Sequence, residues 1–117
     1  LGMLLALKGD LPRAIHHFQA SLAGEPDDPQ VHYNLGAAYF QTQQHSLAIE
    51  HFREAVRRRP KYGRAWLSLG IGLVTIGNVA EAQDAFQMAK DIPESAAAAR
   101  YRLGILSPES DGDKERE

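Results

Sequence analysis

Cysteine is absent from this chain of 117 residues, so neither a disulfide bond nor a thiolate metal site can form within it. Charge of either sign is in little excess, because 13 basic and 15 acidic residues leave a formal net charge of −2. Apolar runs are only a few residues long, far below the ~20 residues that a transmembrane helix needs. We therefore predict no nucleic-acid partner and no membrane span.

The chain also lacks the short motifs that carry catalysis or metal binding. It contains no Gly-x-Ser-x-Gly turn, no phosphate-binding glycine loop and no His-Glu-x-x-His pair. His16, His17 and His51 fall on predicted helices without the further ligands that a metal site needs, so we interpret them as surface histidines. The sequence predicts no enzyme activity, no cofactor and no metal.

A basic leader is missing as well. The chain starts with Leu1-Gly2 inside the pattern described next, and its first residue is not methionine. We therefore expect a piece of a longer protein, whose compartment the sequence leaves open, with the cytoplasm as the default.

What the sequence does contain is a pattern that recurs every 34 residues. A fixed period of this size indicates a stack of repeated units, each in contact with its neighbours, whose function lies in the surface it displays. The best-preserved copies consist of Leu35, Gly36, Tyr39, Ala48, Phe52, Ala55 and Pro60, and of Leu69, Gly70, Leu73, Ala82, Phe86 and Ala89.

Each unit reads as two helices joined by a polar turn, because its apolar residues follow helical spacing. Asp28-Pro29 predicts a helix start, as a capping residue followed by a first-turn proline. Gly77-Asn78 predicts the turn inside the third unit, and Gln43 occupies the same left-handed position in the second unit. Helices are predicted over 1–8, 11–23, 29–42, 46–58, 63–76, 79–91 and 95–106.

Glycine recurs at one offset within the first helix of successive units, at Gly36, Gly70 and Gly104. Glycine inside a helix costs roughly 1 kcal/mol relative to alanine, so its repetition predicts a close approach of a neighbouring helix. Phe52 and Phe86 are expected to fill the space that the glycines leave. Residues 107–117 carry five acids and two bases without a large apolar residue, and we predict a disordered acidic tail.

This combination of Leu-Gly, an aromatic residue, Ala, Phe, Ala and Pro at fixed offsets closely resembles the tetratricopeptide repeat, and Trp66 falls where that family often carries tryptophan. The resemblance implies an all-α solenoid of antiparallel helix-turn-helix repeats that forms a right-handed superhelix. It also implies a non-enzymatic protein–protein interaction scaffold that binds a peptide or a partner helix in a concave groove. The resemblance divides the chain into a partial repeat 1–28, full repeats 29–62 and 63–96, and a terminal helix 97–106.

In that family the groove is lined by first-helix residues that face away from the packed stripe. Here this surface is apolar and flanked by arginines, which suits a protein or peptide ligand with apolar side chains and one acidic group. The alternative is that several of these side chains pack between neighbouring helices. The candidate binding residues are Tyr33, Asn34, Ala37, Phe40, Gln41, Arg64, Leu67, Ser68, Ile71, Val74, Tyr101 and Arg102. The resemblance also places Gln30, Thr75, Ile105, Met3, Ala6 and Leu7 along the groove.

One variant of the family clamps the acidic C-termini of cytosolic heat-shock chaperones with lysines, asparagines and an arginine. Only Asn34 and Arg64 match that clamp here, while Met3 and Ser68 depart from it, so we do not expect chaperone-tail binding. Two alternatives from other classes stay open. The chain could be the substrate-presenting segment of a multidomain enzyme, such as a glycosyltransferase or sulfotransferase, or it could self-assemble as a homo-oligomer through exposed stack ends.

Overall fold

The computed structural model describes residues 10–24 and 28–106, and within these ranges the chain forms six α-helices and no strand. The all-α prediction is confirmed for them, and each predicted helix is found with one end shifted by one residue. The predicted helix 1–8 and the predicted tail 107–117 lie outside the described residues. The helices are α1 (Leu11–Gly24), α2 (Pro29–Gln41), α3 (His45–Arg58), α4 (Gly63–Thr75), α5 (Val79–Lys90) and α6 (Ala96–Leu106).

The helices stack in chain order. The most extensive contacts lie within two helix pairs, α2 with α3 and α4 with α5, and most of the remaining contacts join a helix to its neighbours along the chain. Helices two apart also touch, α2 with α4 and α4 with α6, so the first helices of successive pairs lie side by side. This is the repeat stack that the period predicts, while the division of the chain at 28, 62 and 96 stays a prediction.

The turns follow from the residues at the helix ends. The Oδ1 of Asp28 accepts a hydrogen bond from the backbone N–H of Gln30 at 2.9 Å, and Pro29 opens α2, as predicted. Gly77 has φ 86° and Gln43 has φ 66°, so both occupy the left-handed region at equivalent points of the two pairs. The predicted equivalence of these two turns is therefore confirmed.

The predicted close approach at the recurring glycine is confirmed in two units. A Cβ built on Gly36 would lie 2.7 Å from Cδ1 of Phe52, and one built on Gly70 would lie 2.7 Å from Cδ1 of Phe86. Both rings are buried. Because glycine has no side chain, each ring packs directly against the backbone of the opposite helix and fills the space there. The same prediction is wrong for Gly104 within the described residues, where nothing lies within 4 Å of a Cβ.

A histidine pair joins α2 to α3. The Nδ1 atoms of His32 and His51 are 3.1 Å apart, and the ring of His51 also stacks on Tyr39 with centroids 5.6 Å apart. His32 is buried and His51 is partly buried, so the interpretation of His51 as a surface residue is wrong. Burial, and secondarily the nearby His32, lowers the pKa of His51, because the charged ring is poorly solvated there.

Several ion pairs lie on the second helices α3 and α5. Arg57 and Arg58 both bond to Glu54, and the hydrogen bond from Arg57 is the main cause that lowers the pKa of this carboxyl to about 2. Arg53 Nη2 lies 2.7 Å from Oε2 of Glu81, which links α3 to α5. Arg53, Arg57 and Glu81 are well exposed, so their ion pairs contribute little to stability, whereas Arg58 is partly buried.

Candidate functional site

The side-by-side arrangement of α2, α4 and α6 gives one face made only of first helices, and we call this face the groove. Its three helices contain no aspartate or glutamate but carry Arg64, Arg100 and Arg102. Acidic residues of the described chain are therefore confined to the second helices and the turns. All twelve candidate binding residues lie on the three groove helices.

A first apolar depression lies between α2 and α4, with a volume of about 190 Å³. Its walls bring together five of the predicted residues, two of them apolar and bulky, while the sixth lining residue comes from the second helix α3. The lining residues are Ala37, Phe40, Gln41, Phe52, Ser68 and Ile71.

Phe52 is the residue that sequence reasoning missed in this depression. It is predicted to fill the space opposite a glycine, which it does, and the ring, although only 2% exposed, also lines the depression. Ala37 lines the same depression, and a small side chain beside a predicted core ring is the signal that the sequence offers. One aromatic ring thus serves both the core and the candidate site.

A second depression of about 160 Å³ lies one repeat further, between α4 and α6. Ile71 lines both depressions, so they are adjacent on the same face. The second one combines an apolar lining with one cation, the exposed guanidinium of Arg102. Its lining residues are Ile71, Val74, Thr75, Phe86, Arg102, Ile105 and Leu106.

Five of the candidates are partly buried and pack against the hydrophobic core, namely Tyr33, Phe40, Leu67, Ile71 and Val74. The ring of Tyr33 lies against Phe52 and Tyr62, with centroids 5.9 Å and 5.2 Å away, and the Arg64 guanidinium carbon lies 5.8 Å from its centroid. Tyr33 is partly buried, so its ring contributes to the packing between helices, and its role in the groove stays a prediction. Leu67 likewise packs against the core. Both help to fix the spacing of α2 and α4.

The remaining candidates lie at the margins of the groove. Asn34 is partly buried, and Tyr101 on α6 is 69% exposed. Tyr101 lines neither of the two depressions, so its aromatic ring is available beside them without being part of either. Residues Met3, Ala6 and Leu7 lie outside the described residues.

A third depression lies away from the groove. It measures about 250 Å³ and is lined by Met88 of α5 and by residues of the turns after α3 and α5, including Lys61 and Asp91. Although it is larger than either groove depression, it has charges of both signs at its rim and no link to the repeated face. We therefore place the candidate site in the groove.

Residues 10–24 and 28–106 contain no cluster of three or more histidine, aspartate or glutamate side chains that could hold a metal ion. None of the helices described above combines the length and the apolar character required to cross a bilayer.

Comparison with known proteins agrees with the repeat pattern. The tetratricopeptide repeat family model matches residues 1–63 and 43–99. Intraflagellar transport protein 70B of Bos taurus is 30% identical over 82 residues, which are 67% of this chain and 12% of that protein. The chain thus spans only a small part of the length of this relative.

Solved structures share the fold at lower identity. The translocator chaperone SycD of Yersinia enterocolitica superposes with a TM-score of 0.87 at 20% identity, covering 94% of this chain and 81% of SycD. The second repeat domain of human RPAP3, solved in complex with an HSP70 peptide, gives a TM-score of 0.83 at 20% identity, covering 90% of this chain and 88% of that domain.

Proposed function

The chain belongs to the tetratricopeptide repeat family, and from this premise we propose that it is a non-enzymatic module that binds a protein segment in its groove. The ligand is a peptide or a partner helix with at least two apolar side chains and one acidic group. The two apolar side chains enter the depressions on either side of Ile71, and the acidic group meets Arg102.

The observation that carries this proposal is the pair of adjacent apolar depressions on a face free of acidic residues. Exposed apolar surface of this kind tends to mark a site of association, because its burial is the main source of binding free energy. The arginines add a preference for negative charge, since each would repel a basic ligand and pair with an acidic one. A protein or peptide of acidic and apolar composition therefore fits the groove best.

The human RPAP3 domain supports peptide binding by this fold, because it was solved with an HSP70 peptide. At 20% identity that likeness supports the fold and not the ligand. In this chain Asn34 and Arg64 match the arginine–asparagine–lysine clamp for chaperone tails, whereas Ser68 does not. We therefore propose a ligand held mainly by apolar contacts rather than a chaperone tail.

A random peptide library displayed on phage tests the proposal. Selection against the full chain is expected to enrich peptides that combine apolar and acidic residues. Their binding is then measured for two variants, Ser68→Phe, which fills the first depression, and Arg102→Glu, which reverses the charge at the second. We expect each variant to weaken binding on the order of tenfold or more, the effect of losing one good contact.

The matched control is Val79→Ala, since Val79 is 40% exposed and lies outside both depressions. Selected peptides that bind all three variants equally well would contradict the groove assignment. Enrichment of basic peptides would contradict the proposed ligand chemistry.

A further inference from the structure

The histidine pair, His32 with His51, is linked through both of its helices to the first groove depression. His51 immediately precedes Phe52, whose ring lines that depression. His32 lies one helical turn before Gly36, and a Cβ on Gly36 would lie 2.7 Å from Cδ1 of Phe52. The contact between the histidines and the contact beneath the depression therefore join adjoining turns of the same two helices, α2 and α3.

The contact between the two histidines depends on how many protons they carry. Their Nδ1 atoms are 3.1 Å apart, a distance at which one nitrogen donates a hydrogen bond and the other accepts it. A charged histidine has a proton on each ring nitrogen, so it can donate but not accept. The bond therefore persists while one ring is neutral, and two charged rings would turn their N–H groups toward each other.

The ring of His51 is held on two sides. His32 and Tyr39 are two helical turns apart, which separates them by about 10 Å along α2. The ring centroid of His51 lies 5.4 Å from that of His32 and 5.6 Å from that of Tyr39, so the ring fits between them. The Tyr39 hydroxyl accepts a hydrogen bond from Nε2 of Gln19 at 2.7 Å, which ties the stack to α1. Repulsion within the pair therefore acts on the spacing of α2 and α3, because His51 cannot rotate away without breaking this stack.

No carboxylate from a facing helix offsets a charge on the pair. Helices α1, α2 and α4 contain neither aspartate nor glutamate. Burial, followed by the nearby His32, lowers the pKa of His51, and Glu50 and Glu54 on the same helix offset this only in part. The other titratable and charged side chains of the helices around the pair are Arg13, His16 and His17 on α1, Tyr33 and Tyr39 on α2, and Arg64 on α4.

A change in the spacing of α2 and α3 reaches the depression through Phe52. The ring of Phe52 packs against Gly36 and lies 5.9 Å from the ring of Tyr33, the residue that follows His32. Because a close-packed interior leaves little free volume, a shift of His51 relative to His32 also shifts Phe52 relative to α2. The wall that a ligand side chain would contact then changes its position.

We propose that the histidine pair makes ligand binding in the groove dependent on pH, with tight binding while the two rings share a hydrogen bond and release once both are charged. This regulation rests on the proposed function, because it acts on the same groove. Binding and proton uptake are linked reciprocally, so a ligand that contacts Phe52 also opposes the charging of the pair. Affinity should therefore fall as the pH decreases through the range in which histidine titrates.

Peptide affinity at two pH values tests this regulation. A histidine-free peptide from the phage selection is titrated into the full chain at about pH 7.5 and about pH 5.5, and isothermal titration calorimetry gives Kd. We expect Kd to rise on the order of tenfold at the lower pH, within the usual range of coupling between two sites. The acidic group of the peptide stays charged at both values, and circular dichroism at each pH verifies that the chain is still helical.

Substitutions locate the effect at the pair. His51→Gln and, separately, His32→Gln leave one titratable ring, so each variant should bind the peptide equally well at both pH values. His16→Gln, on an exposed residue of α1, is the matched control and should keep the loss of affinity. His45→Gln is a second control, because the ring centroid of His45 lies 4.9 Å from that of Phe40, which lines the depression. This variant should also keep the loss.

A measurement on the parent chain without ligand requires no histidine variant to fold. In a two-dimensional NMR titration with acid, the amides of Ser68 and Ile71, which lie across the depression on α4, should shift with the same midpoint as the ring of His51. The amide of Val79, outside both groove depressions, should not follow that midpoint.

Three results would overturn the proposal and leave the proposed function intact. They are an equal Kd of the parent chain at both pH values, a loss of affinity that only His45→Gln removes, and α4 amides that do not follow the titration of His51. Failure of the groove to bind any selected peptide at either pH would instead reject the proposed function. The titration without ligand then decides whether the pair moves the wall of the depression.

Discussion

Single residues decide how closely the helices of this stack can approach. Gly36 and Gly70 receive phenylalanine rings, whereas Gly104 receives nothing from the described chain. The recurrence of glycine at one offset predicts the first two contacts, because a helix tolerates glycine at a cost only where packing needs it. It cannot predict that the position of Gly104 receives no ring from the described chain, since glycine occurs at all three positions.

Gly70→Leu should destabilise the chain by about 1–3 kcal/mol or more, because the added side chain collides with the Phe86 ring and the core cannot expand freely. Urea unfolding followed by circular dichroism measures the loss. Gly104→Leu is the matched control and should fall within about 0.5 kcal/mol of the parent chain, as substitutions away from packed features do. Equal stability of the two variants would show that Gly70 has no packing role.

The histidine pair predicts a pH dependence of folding. Since burial lowers the pKa of His51 below its ordinary value of 6.5, the unfolded chain binds more protons than the folded chain as the pH falls through 6.5. Stability should therefore be greatest above this pH and decline on acidification, although the nearby Glu50 and Glu54 moderate the effect. Urea unfolding between about pH 7 and about pH 5 measures the slope, in the range where histidine titrates.

The variant His51→Gln should flatten that slope, whereas His16→Gln, on an exposed residue of α1, should not. Glu54 does not contribute to the slope in this pH range. Its stabilising charge is lost only as the pH falls from 4.5 toward its lowered pKa of about 2. A slope that His51→Gln leaves unchanged would assign the pH dependence to other groups.

At the scale of helices, the signals at helix ends were sufficient to place the elements. Asp28-Pro29 and Gly77-Asn78 carry their physical reason locally, in a capping bond and in a left-handed backbone, so no tertiary information is needed to read them. The surroundings of individual side chains are harder to predict from the sequence than the helix ends. Tyr33 is predicted to line the groove, and its ring also packs against Tyr62, which lies beyond α3 in the chain, a contact that helical spacing does not encode.

The turn between α2 and α3 offers a test at this scale. Gln43 has φ 66°, a conformation that costs residues other than glycine roughly 1–2 kcal/mol. Gln43→Gly should therefore stabilise the chain by about 0.5–1 kcal/mol, after the larger chain entropy of glycine is subtracted. The measurement is urea unfolding.

Gly77→Gln is the reciprocal variant and should destabilise the chain by a similar or larger amount, since Gly77 has φ 86° in the equivalent turn. If both changes destabilise the chain, contacts of the Gln43 side chain outweigh the backbone strain, and the two turns are not energetically equivalent.

At the scale of the whole molecule, function follows from juxtaposition across repeats. Ile71 lines two depressions that involve α2, α4 and α6, so no single helix pair contains the candidate site. The period predicts that such a face exists and which residues it displays, including Ala37, Ser68 and Arg102. The depth of each depression depends on how far the rings of Phe52 and Phe86 reach between the first helices, which follows only from the packed structure.

The most direct measurement is a two-dimensional NMR titration of the labelled chain with a peptide selected from the phage library. If the groove is the binding surface, the largest amide shifts will cluster at Ala37, Ser68 and Ile71 and extend toward Arg102, while Val79 and its neighbours on α5 stay unchanged. Shifts that cluster instead on the outer faces of α3 and α5, with the first helices unaffected, would contradict the account.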